Sequence, residues 1–433
     1  MTPSARVAAA IEIVAALETR PRPAGDALKD WGLGHRFAGS GDRSAIAGFV
    51  YDALRKKASA AFIMGEGAPR AMVLGALALA RGLDVDAVGK LCDGSRYGPP
   101  PLTDAERARL ANANLEGAPP HVAGDYPEWL DAELAKTFGE DRAAEGAALA
   151  ARAPLDLRVN SLKVARDKAK AALAHLAAAD TRWSPVGLRV PLSEQGRQPP
   201  VTAEGVFHKG WIEVQDEGSQ VAALLTGASP GEQVLDLCAG SGGKTLALAG
   251  KMENHGQIFA HDADLRRLAP IHDRVKRADA HNVQVRAPKG AADVLADLEG
   301  RMDLVLIDAP CTGTGVWRRH PDAKWRMRPG ALEQRVKEQA VLLDEATRFV
   351  KPGGRIAYVT CSVLDAENSA QVRAFLARQT GFAVVPPAEV AGNLGERGMI
   401  LGKAALASAE GLLLTPRRTD TDGFFVSLMR RAA

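Results

Sequence analysis

Cysteine is scarce in this 433-residue chain: Cys92, Cys238, Cys311 and Cys361 are the full set, and no two form a CxxC pair. Neither a structural zinc site nor a disulfide framework is expected from four isolated thiols. A long apolar run is also missing. The apolar start Val7-Ala8-Ala9-Ala10-Ile11 is broken by Glu12 and has no basic stretch before it. It is too short to span a bilayer and reads poorly as a secretory signal. These absences make a reducing cytoplasm the expected location, without membrane or metal. A large excess of one charge is absent as well, since the net charge is +3. The balance is uneven: residues 1–145 carry 17 Lys and Arg against 20 Asp and Glu, and the remainder 38 against 32. Any polyanion is expected to meet the C-terminal part. No internal repeats stand out.

What is present describes a globular protein, with 46% hydrophobic and 25% charged residues. The length calls for two or three domains. Residues 1–145 read as all-helical. Val7, Ile11, Val14 and Leu17 hold a helical spacing, as do Ile46, Phe49, Val50, Ala53 and Leu54, with breaks at Pro21-Arg22-Pro23, Gly65-Glu66-Gly67 and Pro99-Pro100-Pro101. Residues 146–228 form a small α+β unit. Leu155–Asn160 alternates like a strand, a helix runs from Ala169 to Ala177, and Gln195–Pro200 is a loop. Residues 229–433 read as an α/β domain. Strands are expected at 233–237, 258–260, 283–285, 304–307 and 356–359, followed by a late pair at 412–414 and 424–428. That is a doubly wound sheet closing on an antiparallel hairpin.

Val234-Leu235-Asp236-Leu237 runs into Cys238-Ala239-Gly240-Ser241-Gly242-Gly243-Lys244-Thr245. A strand, a glycine turn and a helix start let a ligand approach the backbone where a Cβ would block it. The spacing is too short for a Walker phosphate loop. About twenty residues on, Phe259-Ala260-His261-Asp262 places a carboxylate where it suits the two hydroxyls of a ribose. Asp262 could equally cap a helix at Leu265-Arg266-Arg267-Leu268, although Asp264 suits that place better. The turn and the acid together fit NAD or S-adenosylmethionine.

Cys311 and Cys361 choose between them. Cys311 follows Leu304-Val305-Leu306-Ile307-Asp308-Ala309-Pro310, and Cys361 follows Ile356-Ala357-Tyr358-Val359-Thr360. Both close a buried parallel strand, so both thiols should project into the crevice at the strands' carboxyl ends. Methylation of a pyrimidine ring carbon is one of few reactions that use two thiols there. C5 of cytosine becomes nucleophilic when a thiolate adds to C6, helped by a carboxyl group at N3. Asp308 is placed to face the ring edge, and Lys244 could favour the thiolate. Beside the Cys311 loop, Arg318, Arg319, His320, Lys324 and Trp325 offer cations and an aromatic for RNA phosphates and a base. The base must be single-stranded or flipped to reach Cys361.

Asp308-Ala309-Pro310-Cys311-Thr312-Gly313-Thr314-Gly315, Arg318-Arg319-His320-Pro321-Asp322, and Thr360-Cys361-Ser362-Val363-Leu364 with Glu367-Asn368 resemble the RsmB/Nop2/NSUN family of RNA 5-methylcytosine methyltransferases. The resemblance extends to Gln215-Asp216-Glu217-Gly218-Ser219, the glycine turn and Gly423-Phe424-Phe425, over about 155–433. More faintly, the N-terminal part resembles the NusB-like RNA-binding domain of the bacterial RsmB branch. The resemblance implies a Rossmann-like class I S-adenosylmethionine methyltransferase sheet. It implies Cys361 as nucleophile and Cys311 as the group assisting product release. It further implies that Cys238, Ala239, Gly240, Ser241, Gly242, Gly243 and Lys244 line the cofactor, Asp262 holds its ribose, and Asp308 borders cofactor and base. The implied partner is RNA, ribosomal before transfer RNA, and a monomer suffices.

Two departures stand out. Family members commonly have Ala-Ala-Pro-Gly-Gly-Lys-Thr where this chain has Ala239–Thr245 with Gly240-Ser241. An acid that normally follows the third strand is replaced by Arg286-Ala287-Pro288-Lys289, with Asp293 displaced. An RNA-binding assembly factor lacking the chemistry is therefore the rival reading. A dehydrogenase would explain neither thiol.

Overall fold

The computed structural model describes residues 1–192 and 199–433. Of the expected Gln195–Pro200 loop, 195–198 lie outside the described residues. The chain divides into two compact units. One is Met1–Arg152 with Trp317–Arg328; the other comprises 153–192, 199–316 and Pro329–Ala433.

The first unit is helical. Pro3–Thr19 and Ser40–Arg55 carry the two apolar stripes read from the sequence. With Pro69–Arg81 they bury Val7, Ile13, Val14, Ile46, Val50, Met72 and Leu74 in one core. Among the described residues no single helix is long and apolar enough to cross a membrane.

The second unit holds two sheets. Strands β1 (Leu155–Val159), β2 (Ala179–Asp180), β3 (Gly187–Val190) and β4 (Ile212–Val214) form an antiparallel sheet in the order β2-β3-β1-β4. The helix expected to reach Ala177 ends at Ala172, and a short 3-10 turn follows, closed by Ala177 at φ +52°. Leu155, Leu157, Val159, Leu173 and Leu188 form the core of this small layer.

The larger sheet contains β5 (Gln233–Asp236), β6 (Gln257–Ala260), β7 (Val283–Val285), β8 (Met302–Asp308), β9 (Val350–Thr360), β10 (Phe382–Val384), β11 (Leu406–Ala407), β12 (Leu412–Leu414) and β13 (Phe424–Arg431). Their order is β11-β12-β13-β9-β8-β5-β6-β7, with β10 paired to β13. Strands β5 to β9 are parallel, and β13 runs antiparallel to both β9 and β12. The α/β class, the parallel series and the final hairpin agree with the sequence. The order reverses between β5 and β8, which opens a crevice at their carboxyl ends.

Candidate active site

The β5 end shapes one wall of that crevice. After Asp236 the chain turns sharply, with Gly240 at φ +51° and Gly242 at φ +84°, a backbone that side chains rarely adopt. The Gly242 amide donates to Ala239 O at 2.9 Å, closing the turn before helix Gly243–Lys251 begins. A Cβ on Gly242 would stand 2.6 Å from Ile271 Cγ1, whereas one on Gly240 would meet nothing closer than 3.6 Å. The backbone at Gly240 is thus bare toward the crevice. Asp262, buried after β6, accepts from Gly240 N and Asp264 N, each at 2.9 Å, through different oxygens. Each oxygen keeps a lone pair for a diol. Asp264 caps the next helix, its side chain accepting from Arg266 N at 2.8 Å. These residues fit the ribose and methionine parts of S-adenosylmethionine.

Beneath the turn lies one group to which the motif reading gives no role, Asp236, next to Cys238. Asp236 is fully buried. One oxygen accepts from Thr245 Oγ1 at 2.7 Å and the other has no partner among the described residues. Burial pushes its pKa up to about 7, with the Asp308 and Asp262 charges adding to the effect. Burial, and then the same carboxylates with Asp236, raise the Cys238 thiol well above its ordinary range. Cys238 lines the turn as a neutral thiol.

Lys244 Nζ is buried and pairs with Asp308 Oδ2 at 2.7 Å, while Phe424 from β13 offers its ring face 4.9 Å away. Asp308 is about a third exposed (35%) and spans the ground between Lys244 and the thiols' strand. The lysine charge is directed at this carboxylate, so any influence on a thiolate passes through Asp308.

The second wall is built by β8 and β9. Asp308 stands opposite Val359, and the Ala309 amide continues the ladder to Val359 O at 2.8 Å. Pro310 has no N–H and ends the ladder there. Cys311 and Cys361 therefore leave adjacent parallel strands at the same level, and their sulfurs lie 3.3 Å apart as free thiols. That is hydrogen-bond distance for sulfur and too long for a disulfide. Gly315 N donates to Cys361 O at 2.9 Å and Gly423 N to Gly315 O at 2.8 Å, stitching both loops to the start of β13.

A buried carboxylate fastens the Cys311 loop from behind. Glu367 accepts from Thr312 N (2.8 Å), Thr312 Oγ1 (2.5 Å) and Gln339 Nε2 (3.0 Å), and Gln339 also donates to Pro310 O at 3.0 Å. Asn368 bridges Thr360 Oγ1 and Ser362 O on the Cys361 side. The Cys311 pKa is raised well above the ordinary thiol value. The hydrogen bond with Cys361 is the main cause, followed by burial and the charges of Cys361 and Glu367. Glu367 and Asn368 stand in the motif quoted above; Gln339, on helix Pro329–Ala346, has no sequence signal.

Two other regions bear on the sequence reading. At the end of β7, Arg286 pairs with Asp297 at 2.8 Å and lies over the Phe259 ring, and Asp293 is bound to Arg348 at 2.8 Å. The basic run divides in two. Lys324 is buried, donating to Asp125 O at 2.5 Å and Arg55 O at 3.1 Å; Trp325 Nε1 donates to Leu54 O at 2.6 Å, and Arg318 is buried. Lys324 and Arg318 are buried in the helical unit and offer no open RNA-facing surface, while Trp325 is half-buried against its core, where the carbonyls ending helix Ser40–Arg55 need donors. Arg319 is half-buried and His320 exposed.

Comparison with known proteins accords with this geometry. Residues 223–430 match the family described as 16S rRNA methyltransferase RsmB/F, and residues 126–193 match the RsmF/B-like ferredoxin-like domain. The ribosomal RNA small subunit methyltransferase B of Sodalis glossinidius is 34% identical over 345 residues, covering 79% of this chain and 71% of that protein. The crystal structure of PH0851 is 26% identical with a TM-score of 0.70, covering 100% of this chain and 99% of that one. The structure of NSun6 from Pyrococcus horikoshii with SFG shares the fold at a TM-score of 0.60 and 20% identity, over 71% of this chain and 98% of that one. By its sequence, its sheet and its paired thiols, the chain belongs to the RsmB/F family of S-adenosylmethionine-dependent rRNA methyltransferases.

Proposed function

We propose that this protein methylates C5 of a cytosine in small-subunit ribosomal RNA through a covalent bond between Cys361 and C6. The observation that carries the reading is the 3.3 Å approach of two free thiols at the ends of adjacent parallel strands, beside a glycine turn. S-adenosylmethionine, held by Cys238–Lys244 and Asp262, would supply an electrophilic methyl group. Cys361 adds to C6 of a flipped cytosine. Asp308, held by Lys244, faces the N3 edge, where a carboxylate favours a proton taken up by the ring from solvent, which draws electron density toward C5. After methyl transfer the C5 proton passes to water, its bonding electrons restore the C5–C6 double bond, and the Cys361 sulfur is expelled with the electrons of the C6–S bond. Cys311, kept protonated, donates to that departing sulfur and eases its release.

The exposed His320 and the half-buried Arg319 are the members of the basic run that we assign to RNA phosphates. We assign RNA selection to the helical domain, 1–145, with 146–228 as the linking unit and 229–433 as the catalytic domain. A monomer in a reducing cytoplasm keeps both thiols free. Incubation with tritiated methyl donor and small-subunit RNA tests the reading: label should enter as 5-methylcytosine. Incorporation that survives Cys361→Ala would overturn the mechanism.

A further inference from the structure

The cofactor turn has a built-in weakness. Two glycines in left-handed conformations make Ala239–Gly242 costly to order, because glycine loses more backbone freedom than any other residue. Its central residue, Ser241, is exposed. Yet Ser241 is gripped twice by one side chain: Arg274 Nη1 donates to Ser241 O at 3.0 Å and to Ser241 Oγ at 2.8 Å.

Arg274 is itself held. Its Nη2 pairs at 3.0 Å with Glu213 Oε2, and the Glu213 side chain is only 5% exposed. Glu213 stands in the middle of β4, in the small antiparallel sheet, opposite Arg158 of β1. Its other oxygen takes Arg277 Nη2 at 2.5 Å. Arg274 and Arg277 are one helical turn apart on Ile271–Ala278, so one carboxylate receives both from the same face. That helix meets the turn a second time through Ile271, which fills the space beside Gly242. The route from the small sheet to the glycine turn is thus continuous: Glu213, Arg274, Ser241.

We propose that Glu213 and Arg274 are positioning residues that form a strut from the small α+β sheet to the cofactor turn, holding Gly240–Gly242 ready for S-adenosylmethionine. The inference rests on the cofactor reading above. A merely structural ion pair would stabilise the fold without biasing cofactor affinity. A strut lowers the ordering cost of binding, and its two members act as a unit.

Calorimetric titration of the full chain with S-adenosylmethionine tests this. Arg274→Ala and Glu213→Gln should each weaken binding about three- to tenfold, the range for charge-assisted hydrogen bonds reduced by solvent exposure. The double variant should bind no more weakly than the weaker single variant. In turnover, Arg274→Ala should raise the cofactor KM more than it lowers kcat. Ser241→Pro, added to Arg274→Ala, should recover affinity: the Ser241 amide donates to none of the described residues, and proline restricts the turn by other means. Wild-type affinity in Arg274→Ala, or singles whose losses multiply in the double, would overturn the strut. If Glu213→Gln fails to fold, Arg274→Ala with its proline rescue decides alone. Absence of binding by the wild type would sink the cofactor reading itself, a separate outcome from unaffected variants.

Discussion

Two buried lysines, Lys244 and Lys324, sit in separate parts of the molecule and meet opposite surroundings. Lys244 finds a carboxylate, Asp308, at 2.7 Å and an aromatic face. Among the described residues Lys324 donates to the carbonyl oxygens of Asp125 and Arg55, with the Trp325 ring 5.0 Å away, and burial pulls its pKa down to about 7 against the opposing charge of Asp125. Burial weakens an ammonium that has no carboxylate hydrogen-bonded to it. In the proposed reaction the first lysine serves chemistry, by holding a carboxyl group at the base. The second serves folding, by supplying donors where a helix ends. A lysine's role is decided by what it meets inside.

The contrast can be broken in several ways. The largest effect should come from the site: Cys361→Ala should lower methyl transfer by three or more orders of magnitude, as roughly expected for losing a nucleophile. Cys311→Ala should leave adduct formation intact and stall its release, giving a protein–RNA species that survives denaturing electrophoresis. A freely migrating protein would contradict the role given to Cys311.

Lys244→Met should cut activity by about a hundredfold with a melting temperature close to wild type, since a single electrostatic support is removed. The mirror experiment is Lys324→Ala. It should cost about 2–4 kcal/mol of stability by denaturant titration, from two unpaired carbonyls and the space left behind. Lys324→Met keeps the packing and should cost less.

The pH dependence sharpens the comparison further. A lysine depressed to about 7 in the folded chain binds fewer protons than the unfolded chain between that value and about 10.4. Stability should rise over this window, and the Lys324 part of the slope should vanish in Lys324→Met. A slope identical in both proteins would refute the assignment. The smallest effect is Trp325→Phe, which removes the 2.6 Å bond to Leu54 O and should cost about 1 kcal/mol.

Much of the fold was legible because parallel strands buried on both faces read as apolar runs. Leu304–Ile307 and Ile356–Val359 are such runs and fall inside observed strands, while Val234–Leu237 runs one residue past β5, where the Leu237 amide still bonds Leu306 O. β10 and β11 escaped notice. At three and two residues, on partly exposed segments, they have no pattern to distinguish them from loop. In the site, Cys311, Cys361, Asp308 and the glycine turn stood out by residue type and strand-end position. Gln339 and Arg274 did not. Each lies on a helix whose polar residues look like a solvated face, and only packing turns them toward Glu367 and Ser241.

Linear order alone determined that two thiols and a glycine turn would close parallel strands, since strand period and burial are local properties of side chains. It also determined which residues carry reactive groups. Tertiary structure decided how far apart the sulfurs stand, what each buried lysine meets, and which distant helix steadies each loop. Those depend on neighbours drawn from across the chain, and on the low dielectric that makes each neighbour count.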